Sequence, residues 1–399
     1  MAFDMGSYTH GVLKMGFSKI LFIGLFLVSS VLGGDQVSKR KETKPCSFTA
    51  IYNFGDSGSD TGATTAVFGS FPPPYGETFF HKPAGRASDG RLVIDFIAEL
   101  LGLPYLDAYL NSLATNYRHG ANFAVGGATI RRQNSSIVSR FGISPFSLDI
   151  EITQFDNFKS RTYDLYKQAN TLERRGLPVP TEFSEALYRI DIGNNDLYVG
   201  SQTLSLQQLR EELPDMVNQL ASAVEHLYQQ GGRAFWIQSG SPLGCSPVNK
   251  ILNPNIPPGF LDKNGCVKGI NDVVTEYNRQ LKDRLIKLRA ELQEAAITYV
   301  DQYSPVYPLV TNAKNEGFPN ANIICCGYFE NNARVPCGAK AIINGSEVYG
   351  ASCANPSLHL SWDGVHATEA ANKWVANHVL NGSASDPPIP ITQACHRYN

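Results

Sequence analysis

Ala50-Ile51-Tyr52-Asn53-Phe54-Gly55-Asp56-Ser57-Gly58-Ser59-Asp60-Thr61-Gly62 is an apolar run that ends in a cluster of turn-forming residues. The run 50–53 predicts a strand, and the cluster predicts a sharp turn directly after it. Open α/β sheets bind ligands in the crevice outside the carboxyl ends of their strands, so the Ser57 hydroxyl is expected there rather than in the core. Alone, Gly-Asp-Ser-Gly is also an ordinary surface turn, and only partners elsewhere in the chain give it chemical meaning.

Downstream, helical and strand patterns alternate. Helices are expected over 91–101, after Ser205, over 273–292 and over 368–380, each from apolar residues repeating at three and four. Ser205 with Gln208 makes a capping box, and Pro214 is expected to bend or divide the helix that follows. Strands are expected at 122–125, 187–192, 233–238 and 297–300. Strand and helix alternating in this way require crossover connections, which predicts a three-layer α/β/α sandwich around a parallel sheet. No repeat or composition break divides 46–395, so one domain is expected there, with Pro-, Gly- and Asn-rich loops at 71–75, 176–180, 253–260 and 315–322 as substrate walls.

Composition narrows the function classes. At 399 residues, 43% hydrophobic and 18% charged, with a net charge of -2 and no long basic block, the chain has no electrostatic footprint for nucleic acid or an anionic membrane. Lys14 and Lys19 precede the apolar run 20–28, and small residues follow, so residues 1–34 read as a secretory signal peptide. Spanning a bilayer takes about 20 apolar residues, so stable membrane anchoring is not expected. The eight cysteines, Cys46, Cys245, Cys266, Cys325, Cys326, Cys337, Cys353 and Cys395, form an even set without Cys-x-x-Cys, which favours disulfides and a stapled loop between Cys325 and Cys353. Acceptor sequons at Asn134, Asn344 and Asn381 agree with the secretory route. The expected destination is extracellular, with the vacuole as the alternative.

Near the carboxyl end, Ser361-Trp362-Asp363-Gly364-Val365-His366 supplies what a serine nucleophile needs. A hydroxyl attacks only when a base takes its proton and a third group orients that base. Asp363 and His366, three residues apart on a turn, can hold each other while the second imidazole nitrogen faces Ser57. Gly193-Asn194-Asn195-Asp196 and Gly126-Gly127 follow strand ends and can donate to a developing oxyanion. No metal site, P-loop or dinucleotide fingerprint is present, so no cofactor is expected. Ser59 stands where Gly-x-Ser-x-Gly would need its second glycine, which argues against the α/β-hydrolase elbow.

In these four ordered blocks, Gly55 to Gly62, Gly120 to Thr129, Gly193 to Asp196 and Asp363 to His366, the chain resembles the plant GDSL esterase/lipase family of the SGNH hydrolase superfamily. The resemblance covers nearly all of the chain after the signal segment. It implies a flavodoxin-like sandwich, with Ser57 as nucleophile, His366 as base and acid, and Asp363 as its orienter. It implies oxyanion donors from the Ser57 N–H, the Asn195 side chain and the Gly127 N–H, with Gly126 as the alternative register. The implied substrate is a small-molecule ester, with an alcohol acceptor in an acyltransferase alternative; a silent binding module is the third reading. Where many plant members read His-Asn-Thr-Gly-Pro, this chain has Gln238-Ser239-Gly240-Ser241-Pro242, so substrate is not carried over from any relative.

Overall fold

The computed structural model describes residues 44–397 apart from 114, 253–257, 320–322 and 331–332, so the expected signal peptide at 1–34 and part of two expected loops lie outside the described residues. The central sheet has six strands: β1 Ile51–Gly55, β2 Gly120–Asn122, β3 Leu187–Asp191, β4 Ala234–Gln238, β5 Ala296–Val300 and β6 Ser385–Asp386. Their order is β6-β5-β4-β3-β1-β2. β1 pairs in parallel with both β2 and β3, and β4 continues in parallel to β5. The 2-1-3-4-5 order is doubly wound and reverses direction at β1, which opens a crevice between the carboxyl ends of β1 and β3.

Two cores lie on opposite faces of this sheet because side chains alternate along each strand. Tyr52, Phe54, Tyr188, Ile190, Phe235 and Ile237 pack with helices α3 Leu148–Gln168, α5 Leu206–Gln229 and α6 Lys268–Glu291. Ile51, Leu187 and Trp236 point the other way, onto α2 Val93–Leu100 and α7 Glu369–Val379. Of the shorter helices, α1 Ala63–Phe68 follows the Ser57 turn and α4 Asn194–Thr203 follows β3.

Three expectations are corrected and one helix is added. The sheet is mixed, because Ser385–Asp386 returns antiparallel beside β5. A two-residue strand after the last helix carries no periodicity to read. The strand expected at 122–125 lies at 120–122, although Phe123 and Val125 still donate N–H bonds to Asn53 and Gly55 as the chain leaves the ladder. Pro214 does not divide α5, which runs unbroken from a Ser205 cap with the reciprocal Gln208 bond; Pro214 faces solvent. Lastly, α3 was not expected, since its stripe of Leu148, Ile152, Phe155 and Phe158 is diluted by charged and polar neighbours on the outer face.

All eight cysteines are paired: Cys46–Cys395, Cys245–Cys266, Cys325–Cys353 and Cys326–Cys337. The last two staple the loop as expected. Within it lie two small hairpins, Tyr328–Glu330 with Ala333–Val335 and Lys340–Ile343 with Ser346–Tyr349. No described helix is long and apolar enough to cross a membrane.

Candidate active site

Ser57 sits two residues beyond β1 on a turn that the surrounding side chains over-determine. Asp60 accepts the N–H groups of Gly62, Ala63 and Thr64, so its carboxylate caps the start of α1, and it also accepts from Gly126 at 2.9 Å. Buried Asn122, at the end of β2, donates to the Ser59 carbonyl and to Thr61 Oγ1, and accepts from Asn53 at 2.7 Å. Gly55 must be glycine, because a Cβ there would come 2.4 Å from the Asp191 carbonyl oxygen.

His366 arrives from the turn before α7. Its Nε2 lies 2.8 Å from Ser57 Oγ, across 309 residues of sequence, and its Nδ1 lies 2.7 Å from Asp363 Oδ2. The carboxylate is held independently of the ring: Asp363 Oδ1 accepts the backbone N–H groups of His366 and Val365, and Oδ2 also accepts the Tyr75 hydroxyl at 2.9 Å. Burial pushes the Asp363 carboxyl up, but the His366 charge and hydrogen bond outweigh it and hold the group below the usual range. Burial pushes the His366 imidazole down, and the Asp363 carboxylate, helped by Asp56, more than reverses this, so its pKa is raised. An imidazole fixed by its carboxylate on one nitrogen and facing a hydroxyl on the other can accept that hydroxyl's proton.

The expected donors stand on the glycine turn and at the start of α4, which Asn195 links through the Ala128 carbonyl. A Cβ built on Gly126 would lie 3.6 Å from Ser57 Cβ, which places the glycine pair beside the serine. The two glycines differ: the Gly126 N–H is occupied by Asp60 and Thr64 Oγ1, whereas the Gly127 N–H has no acceptor among the described residues. The same holds for the Ser57 N–H. Gly127, at φ 77° and with Ser144 N 2.6 Å from where its Cβ would be, cannot carry a side chain without a shift of backbone. Asn195 opens α4, and its amide donates to the Ala128 carbonyl at 2.9 Å, which leaves its second N–H hydrogen for another acceptor. Next to it, buried Asp196 accepts from the N–H groups of Ile130 and Arg131 and so ties the glycine loop to α4; burial raises its pKa to about 6.

Several residues that shape the site were missed in the sequence. Tyr75 is one; the others lie under the serine. Arg189, fully buried on β3, donates to Asn53, Asp191 and Gln238 and so cross-links the ends of β1, β3 and β4. Glu151 of α3, also fully buried, accepts the Gly55 N–H at 2.8 Å, and burial raises its pKa well above the ordinary carboxyl value. Asp56 accepts the Gly58 N–H, and its pKa rises to about 7 through burial and then the Asp191 charge. A single buried charge in a strand carries no period, so nothing local announces these positions.

Gln238 and Ser239 of the divergent segment are buried and engaged internally, with Arg189 and Gln302, whereas Ser241 is half-buried and donates its N–H to Asn194 Oδ1 at 3.1 Å. The three sequon asparagines are exposed and lie on different elements: Asn134 caps helix Ser135–Phe141, Asn344 turns the second hairpin at φ 50°, and Asn381 follows α7.

Residues 51–379 match the family model of GDSL-like lipases/acylhydrolases. A GDSL esterase/lipase of Arabidopsis thaliana is 57% identical over 353 residues, covering 88% of this chain and 90% of that protein. A second from the same plant is 44% identical over 385 residues, covering 95% and 100%, and the GDSL esterase/lipase ACHE of Zea mays is 45% identical over 362 residues, covering 88% and 90%. With the family model spanning most of the chain and relatives this similar along nearly their whole length, the chain belongs to the GDSL-like lipase/acylhydrolase family.

Proposed function

We propose that this protein is a secreted serine carboxylester hydrolase that works through an acyl-enzyme on Ser57. The observation that carries the reading is the unbroken chain of contacts Ser57 Oγ, His366 Nε2, His366 Nδ1, Asp363 Oδ2, at 2.8 and 2.7 Å. His366 takes the Ser57 proton as Oγ attacks the ester carbonyl. The Ser57 and Gly127 N–H groups and the Asn195 amide hold the oxyanion, and His366 then returns the proton to the departing alcohol. Water enters, gives a proton to His366 and attacks the acyl carbonyl; collapse returns the proton to Ser57 Oγ and frees the acid. None of these steps calls on a metal or organic cofactor.

The proposed substrate is a small or medium acyl ester, and Val365, between the two triad partners in sequence, is 61% exposed beside them. Secretion is supported by the pairing of every cysteine, which needs an oxidising compartment, and by the exposure of all three sequons. The test is covalent labelling by a fluorophosphonate, followed by a hydrolysis profile over acetyl, butyryl, long-chain and hydroxycinnamoyl esters. Labelling and turnover that vanish in Ser57→Ala support the reading, and persistent labelling overturns it. An ester formed from an added alcohol, in preference to free acid, would instead make the protein an acyltransferase.

A further inference from the structure

The hydroxyl of Tyr75 ends on the same carboxylate oxygen, Asp363 Oδ2, that accepts from His366 Nδ1. Tyr75 is only 8% exposed and lies 288 residues before Asp363, in the Phe71 to Tyr75 loop that the sequence marked only as a substrate wall. Its ring is fixed on several sides. It leans on Phe71 at 4.9 Å, meets Trp362 edge-on at 5.9 Å, and packs in one cluster with Cys325, Cys326 and Cys337. The loop backbone is held as well, by Tyr349 Oη on the Pro73 carbonyl at 2.9 Å and by the Gly76 N–H on the Ser88 carbonyl at 2.9 Å. A side chain buried to this depth and pinned along its length delivers its O–H to one place, and that place is the orienting carboxylate.

We propose that Tyr75 is a positioning residue of the triad, whose hydroxyl orients the Asp363 carboxylate and sets the basicity of His366 by sharing Oδ2 with it. The inference rests on the hydrolase reading above. Asp363 receives four hydrogen bonds, two from backbone N–H groups on Oδ1 and two on Oδ2, so both its tilt and its charge distribution are determined by the protein. A donor on Oδ2 competes with the imidazole for the same negative charge, and the Asp363–His366 pair is weakened to that extent. Burial and then the Asp363 charge push the phenol far up, so it stays protonated and remains a donor at every working pH. The other charged group acting on His366 is Asp56, whose carboxyl titrates near neutrality through burial and Asp191. A substitution at Tyr75 leaves that influence in place.

Removing the donor should therefore raise the pKa of His366 and move the acid limb of the kcat/KM profile to higher pH. In Tyr75→Phe, which keeps the ring, the expected shift is about half a pH unit to one unit, with kcat down ~3–10-fold and KM unchanged. Ortho-fluorotyrosine at position 75 keeps the hydroxyl but makes it a stronger donor, and is expected to move the limb the opposite way. Both are measured on the full-length secreted protein with p-nitrophenyl acetate, beside wild-type thermal unfolding. Limbs that move in opposite directions support the proposal. Limbs that stay together in both variants, whatever happens to thermal stability, reduce Tyr75 to packing and overturn it. Failure of the underlying reading looks different, because Ser57→Ala would then still react with the fluorophosphonate.

Discussion

Asp60 and Gly126 are joined by a 2.9 Å hydrogen bond from the Gly126 N–H to Asp60 Oδ2, and the same carboxylate caps α1 through three further N–H groups. One side chain thus sets the distance between the serine turn and the glycine turn. It also consumes the Gly126 donor, whereas the neighbouring Gly127 N–H has no acceptor among the described residues.

Asn195→Ala should lower kcat by about a hundredfold or more with KM little changed, the size of effect seen when one oxyanion donor is removed. Steady-state kinetics on a p-nitrophenyl ester reads this directly. Turnover within a few-fold of wild type would take Asn195 out of the oxyanion site.

The pH dependence follows from the raised His366. The base must be neutral to accept a proton, so kcat/KM falls as pH drops through a midpoint above the ordinary imidazole value. Stability runs the other way for this group. The contribution of protonated His366 is complete below its unfolded pKa and is lost as pH rises through the raised folded value, while that of Asp363 is present above its unfolded pKa and lost as pH falls through the depressed one. A rate profile with an acid midpoint below the ordinary imidazole value would contradict the contact between His366 and Asp363.

Glu151→Gln isolates the buried carboxyl beneath β1. Its raised folded pKa means that its stabilising contribution is present at low pH and lost as pH climbs from the unfolded value towards the folded one. The amide keeps an acceptor for the Gly55 N–H and cannot ionise. The variant should therefore gain stability relative to wild type on going from acid to mildly alkaline buffer, as followed by urea unfolding at both pH values. Parallel stability curves would show that Glu151 does not titrate in the fold.

Two disulfides should separate stability from catalysis. Cys325 and Cys326 donate their N–H groups to the carbonyls of Ser361 and Trp362, immediately before Asp363, and each is bridged within the stapled loop. Cys46–Cys395 instead ties the two ends of the domain together. Replacing Cys326 and Cys337 by Ser should cost about 2–4 kcal/mol and lower kcat, whereas replacing Cys46 and Cys395 should cost a similar or larger amount with kcat retained. Calorimetry and kinetics on both pairs test the contrast, and equal losses of kcat would remove it.

The four strands 51–55, 187–191, 234–238 and 296–300 were legible because each is a short apolar run bounded by turn formers, and α5 because its cap and its stripe are both local. The serine, histidine and aspartate were legible because turn chemistry and a three-residue spacing are also local properties. Tyr75, Glu151 and Arg189 were not, since Tyr75 and Glu151 bond residues 288 and 96 positions away, Arg189 reaches Asn53 across 136 and Gln238 across 49, and no periodicity encodes such contacts. The edge strand 385–386 and the disulfide pairing belong to the same class.

Sequence by itself thus determined most of the elements, the family blocks and the proposed reacting groups, all of which depend on neighbours a few residues apart. Tertiary structure decided that Ser57 and His366 meet at 2.8 Å, that the Gly126 N–H is occupied while that of Gly127 has no acceptor among the described residues, and that Asp363 is shared between His366 and Tyr75. Hydrogen bonds act only over the last few tenths of an ångström, and that precision comes from the packing of the whole domain rather than from any segment of it.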